Sequence, residues 1–155
     1  YGSKENLLEA IIFSSMEKIL EDITNIFLSD DHTIVEKIFF AIKKLYTQYS
    51  NMETPTRSDP NAARIIFSPE CIFLTDQIQD VIQKLAKEGQ EQGFIKKHIK
   101  IEMVPYVFLN SIRGLSTWVK PESFPFSKLE LMKNSIEIIL DGILTPKAME
   151  EYLNS

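Results

Sequence analysis

Apolar residues recur along this chain at helical spacing from end to end. After Ser3 they fall at Leu7, Leu8, Ile11, Ile12, Met16, Ile19, Leu20, Ile23, Ile26 and Phe27, which predicts a long helix to about Leu28 with a broad buried face. Ser3 is its expected cap, with Glu5 in the first turn. SDDH closes it and offers Asp31 as cap for a second helix. There Ile34, Ile38, Ala41, Ile42, Leu45 and Tyr49 trace one stripe, widened by Val35, Phe39 and Tyr46. NMETPTRSDPN is the clearest loop. Asp59-Pro60 then reads as cap plus first residue of a short helix through Ile66. Ser68-Pro69-Glu70 restarts a longer one, whose core face is Cys71, Leu74, Ile78, Val81, Ile82 and Leu85.

That helix stops in EGQEQGF, where Gly93 suits a C-terminal cap. A further helix is expected from about Lys100 to Trp118, with Pro105 in its first turn or kinking it. VKPESFPF is a second loop. The last long helix, about Ser127 to Leu144, carries Leu129, Met132, Ile136, Ile139, Leu140 and Ile143, and Thr145-Pro146 starts a short terminal one. Strand-type alternation is nearly absent and no repeat is present, so the fold class is all-α.

Composition narrows the function. A chain of 155 residues, 44% hydrophobic and 25% charged, can bury a core without disulfide or metal. The lone Cys71 has no partner and apolar neighbours, which reads as a buried thiol in a reducing, cytoplasmic setting. No charge-free apolar run reaches the ~18 residues of a membrane span, so no membrane role is expected. With a net charge of -5, the chain by itself is not expected to hold DNA tightly. The lysine pairs 43/44 and 96/97 read as solvated helix faces.

Enzyme constellations are missing. His32 and His98 sit in or beside loops, and neither follows a Glu at the spacing of a carboxylate-bridged metal bundle. HExxH, paired cysteines, a P-loop and a nucleophile elbow are absent. Gly89 and Gly93 follow a helix rather than a strand, so they terminate it instead of cradling phosphate. No cofactor, metal or catalytic residue is assigned.

Two helices carry more apolar surface than a rim position needs. In the penultimate long helix Val104, Val107, Phe108, Ser111, Ile112 and Leu115 form one stripe, and Met103, Tyr106 and Asn110 a second. Its neighbour is apolar through Met132, Ile136, Ile139, Leu140 and Ile143. A four-helix interface between two copies would bury the excess, and so would a central place in a monomeric bundle; the pattern alone weighs these equally. Polar residues on apolar faces, Ser15, Gln77, Tyr106 and Asn110, join Met16, Leu20, Phe39, Tyr46, Phe73 and Met103 as candidate lining of an apolar cavity.

The opening YGSKENLL resembles the exit from the helix-turn-helix domain of TetR-family transcriptional regulators: an aromatic, a small residue, Ser, Lys and Glu before a long helix. DPNAARIIFSPE, EGQEQGF, SIRGL and IILDGIL follow in the family's order along the whole chain. The resemblance implies a remnant of the DNA-binding domain at 1–4 and an effector-binding, dimerising domain at 5–155. Tyr1 and Lys4 would then contact DNA phosphate, and 100–118 and 127–144 would pair with a second copy, using Val107, Phe108, Ser111, Ile112, Leu115, Met132, Ile136, Ile139, Leu140 and Ile143. The expected partners are a homodimer mate, operator DNA reached through a preceding domain, and an apolar or aromatic small molecule. The expected outcome is repression, relieved when the ligand moves the first helix. A monomeric helical carrier or enzyme for a small apolar molecule is the alternative, and a scaffold that binds other proteins is a third.

Overall fold

The computed structural model describes residues 3–51, 60–117 and 121–155. Tyr1 and the side chain of Tyr46 lie outside them. Seven α-helices are present among the described residues: α1 (Lys4–Leu28), α2 (Ile34–Asn51), α3 (Pro60–Ile66), α4 (Pro69–Glu91), α5 (Val104–Thr117), α6 (Lys128–Ile143) and α7 (Pro146–Leu153). A single 3-10 turn, Ile101–Met103, leads into α5. No strand occurs among these residues, so the fold is all-α.

Side-chain caps fix most of the helix starts. Ser3 Oγ accepts from the Asn6 N–H at 3.1 Å, and Ser68 Oγ accepts from Cys71 at 3.4 Å, with Pro69 in the first turn. Ser127 and Glu130 form a reciprocal capping box on α6, at 3.1 and 2.8 Å. The start of α2 departs from expectation. Thr33, not Asp31, is the cap: its hydroxyl accepts from Glu36 at 3.2 Å while the Glu36 carboxylate accepts from Thr33 at 2.7 Å. The Thr-x-x-Glu spacing gives two satisfied donors, against the one an Asp two residues earlier could reach. Pro105 falls in the first turn of α5 and is fully buried, so it starts the helix without kinking it.

The helices bury three adjoining clusters. The largest unites Ile34, Val35 and Ile38 of α2 with Leu85 of α4, Phe108 of α5, Met132, Ile136 and Leu140 of α6, and Tyr152 of α7. A second, smaller cluster joins Leu8 and Ile12 of α1 to Ala62 and Ile65 of α3 and to Cys71. The third sets Ile23 against Leu45 and Ile78. So α1, about 37 Å long at 1.5 Å per residue, packs its two halves against different neighbours.

Beyond α4 the chain turns on Gly93, whose φ of 82° is the left-handed conformation that favours glycine. The next segment lies antiparallel to the α6–α7 junction. Lys96 N–H donates to the Ile143 carbonyl and Thr145 N–H to that of Phe94, both at 2.9 Å. Lys96 Nζ also reaches the carbonyls of Asp141 and Gly142, at 3.1 and 3.0 Å. That corrects the reading of Lys96 as a solvated charge: it caps the end of α6, where a cation is favoured.

Candidate functional site

A cavity of about 50 Å³ lies among α2, α4, α5 and α6, with α1 contributing one wall residue. Its walls are Ile23 from α1, Ile38, Ala41, Ile42 and Leu45 from α2, and Ile82, Leu85 and Ala86 from α4. Ile95, Val104, Phe108, Leu140 and Ile143 complete it. Every lining residue is apolar, so an occupant would be held by packing and apolar burial alone. Two of the wall residues, Ala41 on α2 and Ala86 on α4, are small.

Of the ten residues expected from the sequence to line a cavity, the nine whose side chains are described do not line this one, and Tyr46 lies outside the described side chains. Ser15, Met16 and Leu20 are half-buried on α1, with Met16 packed in the second cluster and Leu20 in the third. Gln77 is half-buried, and Phe73 is 62% exposed. Phe39 lines a separate groove of about 230 Å³ with Ile42, Lys43, Lys133, Ile136 and Tyr152. The sequence signal that was available is the pair of small residues inside otherwise bulky stripes; polar residues on apolar faces were the weaker guide.

The two stripes of α5 are interchanged relative to expectation. Val104 and Phe108 are buried inside the protomer, with Ile112 and Leu115 packed against the same core. Met103, Tyr106 and Asn110, expected inside, face outward with Val107. On α6, Met132, Ile136 and Leu140 belong to the protomer's own core, and Ile143 walls the cavity. Of the residues expected at an interface, Val107, Phe108, Ile139 and Ile143 line an outer groove of about 330 Å³ with Met103, Val104, Ile99, His98 and Lys100. Ser111 is half-buried, its hydroxyl donating to the Val107 carbonyl at 2.7 Å. The physical reason is polarity: with two apolar stripes on offer, burying the one that carries Tyr106 and Asn110 would desolvate groups with no partner there.

His32 packs at a tilt on Phe40, ring centroids 4.8 Å apart, its Nδ1 3.9 Å from Glu36, and His98 is exposed. Among the described residues no cluster of three or more His, Cys, Asp or Glu is placed to hold a metal, and no helix is long and apolar enough to cross a membrane. Lys37, in the first turn of α2, is buried and donates to the Phe27 carbonyl at the end of α1. Its sequence neighbours gave no warning, because its partners come from α1 and α4.

No family model and no curated protein matches the sequence. Among solved structures, the chain is similar to the ketosteroid transcriptional regulator KstR2 of Mycobacterium tuberculosis, a TetR-family all-α protein. The TM-score is 0.66 at 14% identity, over 94% of this chain and 75% of that one. Identity this low makes the likeness one of fold.

Proposed function

We propose that this chain is the effector-sensing and dimerising part of a TetR-type transcriptional regulator, acting on DNA through a helix-turn-helix unit joined at Ser3. The observation that carries the reading is Ile23: a residue of the first helix walls a wholly apolar cavity, in a fold shared with a transcriptional regulator. A net charge of -5 suits a chain that leaves DNA contact to another unit, with Lys4 at the joint.

Size supplies the coupling. A volume of about 50 Å³ is well below the ~150 Å³ that admits benzene in a comparable apolar hole, so an effector must push the walls apart. A ligand that binds only an expanded state favours that state, which is the differential affinity a switch requires. The C-terminal end of α1 is tied by Lys37, so displacement at Ile23 swings the helix about that end. On a rigid rod the movement grows about fivefold by Lys4, from their axial distances to Leu28 at 1.5 Å per residue. Coupling of about 1–3 kcal/mol lowers operator affinity 5–150-fold.

In the proposed dimer, the outward stripe formed by Met103 of the 3-10 turn with Tyr106 and Val107 of α5 meets the partner together with exposed Ile138 of α6. The test is an operator-binding titration of the full-length protein, with and without small apolar compounds, beside a solution mass of this chain. A dimer that releases DNA on ligand addition is expected. A monomer, or release with no change when Ala41 and Ala86 are enlarged to fill the cavity, would overturn the reading.

A further inference from the structure

The groove between α2, α6 and α7 has a different chemistry from the cavity beside it. Its floor is apolar, made by Phe39, Ile42 and Ile136, and Ile42 is also a wall of the central cavity. Two lysines from different helices, Lys43 and Lys133, stand on its sides. Both are exposed, and among the described residues neither ammonium pairs with a carboxylate. Lysines lay their carbon stems along apolar walls and keep the charged end at the water, so these two bring positive charge to the rim of a greasy trough. The Tyr152 ring closes the end, packed edge-on to Phe39 at 5.8 Å. Among the residues that line the groove, the two lysines are the charged ones, and none is acidic.

The geometry points to a site for an amphipathic carboxylate, its acid group between Lys43 and Lys133 and its apolar body on Phe39 and Ile136, directed past Ile42 toward the central cavity. The inference rests on the effector reading and deepens it by naming the ligand's class. A purely apolar cavity can select for shape but cannot orient a molecule; the lysine pair supplies the orienting contact. At about 230 Å³ the groove lies below the usual range for drug-sized ligands, which favours a short-chain or single-ring acid. It also lies off the outward stripe of α5, so a dimer made through that stripe leaves it accessible.

Calorimetric titration of the chain with octanoate, octanol and octyltrimethylammonium, at one ionic strength, tests this. Octanoate should bind about tenfold tighter than octanol, the size of one charge-assisted contact at a half-wet site, and the cation more weakly than either. The double variant Lys43→Gln/Lys133→Gln should bring octanoate down to the octanol level while octanol binding and the melting temperature stay unchanged. Equal binding of octanoate and octanol to the unaltered chain would overturn the carboxylate site and leave the apolar-effector reading standing. A preference for octanoate that survives in the double variant would overturn the site as well, by placing the anion elsewhere. Binding of none of the three would count against both.

Discussion

The buried ammonium of Lys37 donates to the carbonyl oxygen of Phe27 at 3.0 Å, joining α2 to the last turn of α1. The same Nζ sits 3.9 Å from Glu88 on α4 and 5.8 Å from the Phe27 ring. A helix end leaves its last carbonyls without intrahelical partners, and a cation there satisfies one and complements the helix dipole. At 7% exposure the charge is nearly out of water, which is tolerable only because these partners surround it. Replacing Lys37 with Met keeps the stem and removes the donor. Chemical denaturation should show a loss of about 1–3 kcal/mol. If α1 pivots on this contact, the variant should also lose part of the ligand effect on DNA while still binding ligand.

Neighbouring positions on α6 separate inside from outside. Leu140 is fully buried and walls the cavity; Ile138 is 72% exposed. Leu140→Ala should cost about 2–5 kcal/mol in urea unfolding, and Ile138→Ala less than about 0.5 kcal/mol at concentrations low enough to keep protomers apart. Comparable losses at both sites would mean that the helix is rotated from the face described.

How far the sequence carried these conclusions depended on the range of the interaction involved. The helices were legible because the apolar period and the caps are local: Ser3, Ser68 and Ser127 each act on an amide three residues away. Thr33 is equally local: its bonds to Glu36 span three residues, and they outcompete the nearby Asp31. Which stripe of α5 faces the core was legible only in part: Tyr106 and Asn110 mark the outward one, but Val107 and Met103 are as apolar as Val104 and Phe108, and those are separated only by the helices that folding brings against them. Lys37 and Lys96 escaped for the same reason: their partners are brought in by folding, in the case of Lys96 from 45 and 46 residues away.

Gly93 offers a test of local backbone alone. Its φ is 82°, and nothing lies within 4 Å of where a Cβ would be, so Gly93→Ala introduces no clash. The cost is the left-handed conformation itself, about 1–2 kcal/mol for a residue with a Cβ. Thermal melting should register a loss of that size. No loss would mean the turn can re-form in another conformation.

Tyr152 sets an alkaline limit. Burial holds its phenol above the ordinary value of 10.0, and the nearby Glu137 carboxylate pushes it the same way. The folded protein therefore keeps this proton to higher pH than the unfolded chain does. Its contribution to stability is complete below pH 10 and is lost as pH rises through the elevated folded value. Melting temperature measured from pH 8 to pH 11.5 should fall more steeply for the native sequence than for Tyr152→Phe. Parallel curves would mean that the ring keeps water at its hydroxyl.

The outward stripe of α5 makes the sharpest claim about assembly. Tyr106 is 50% exposed beside Met103 and Val107, and Ile138 projects from α6. Half-exposed side chains of this kind forgo about half of the roughly 1.5–3 kcal/mol that full burial of an exposed one yields, a cost that a second copy would remove on both sides of a two-fold axis at once. Because none of them supports the protomer's own core, a charge placed there should separate the copies without unfolding either. Tyr106→Glu combined with Ile138→Glu is expected to shift the solution mass from twice 17.9 kDa to 17.9 kDa, with helical content unchanged by circular dichroism. By contrast, Phe108→Glu should unfold the chain, since Phe108 lies in the largest cluster. A double variant that stays dimeric would move the proposed interface to another face.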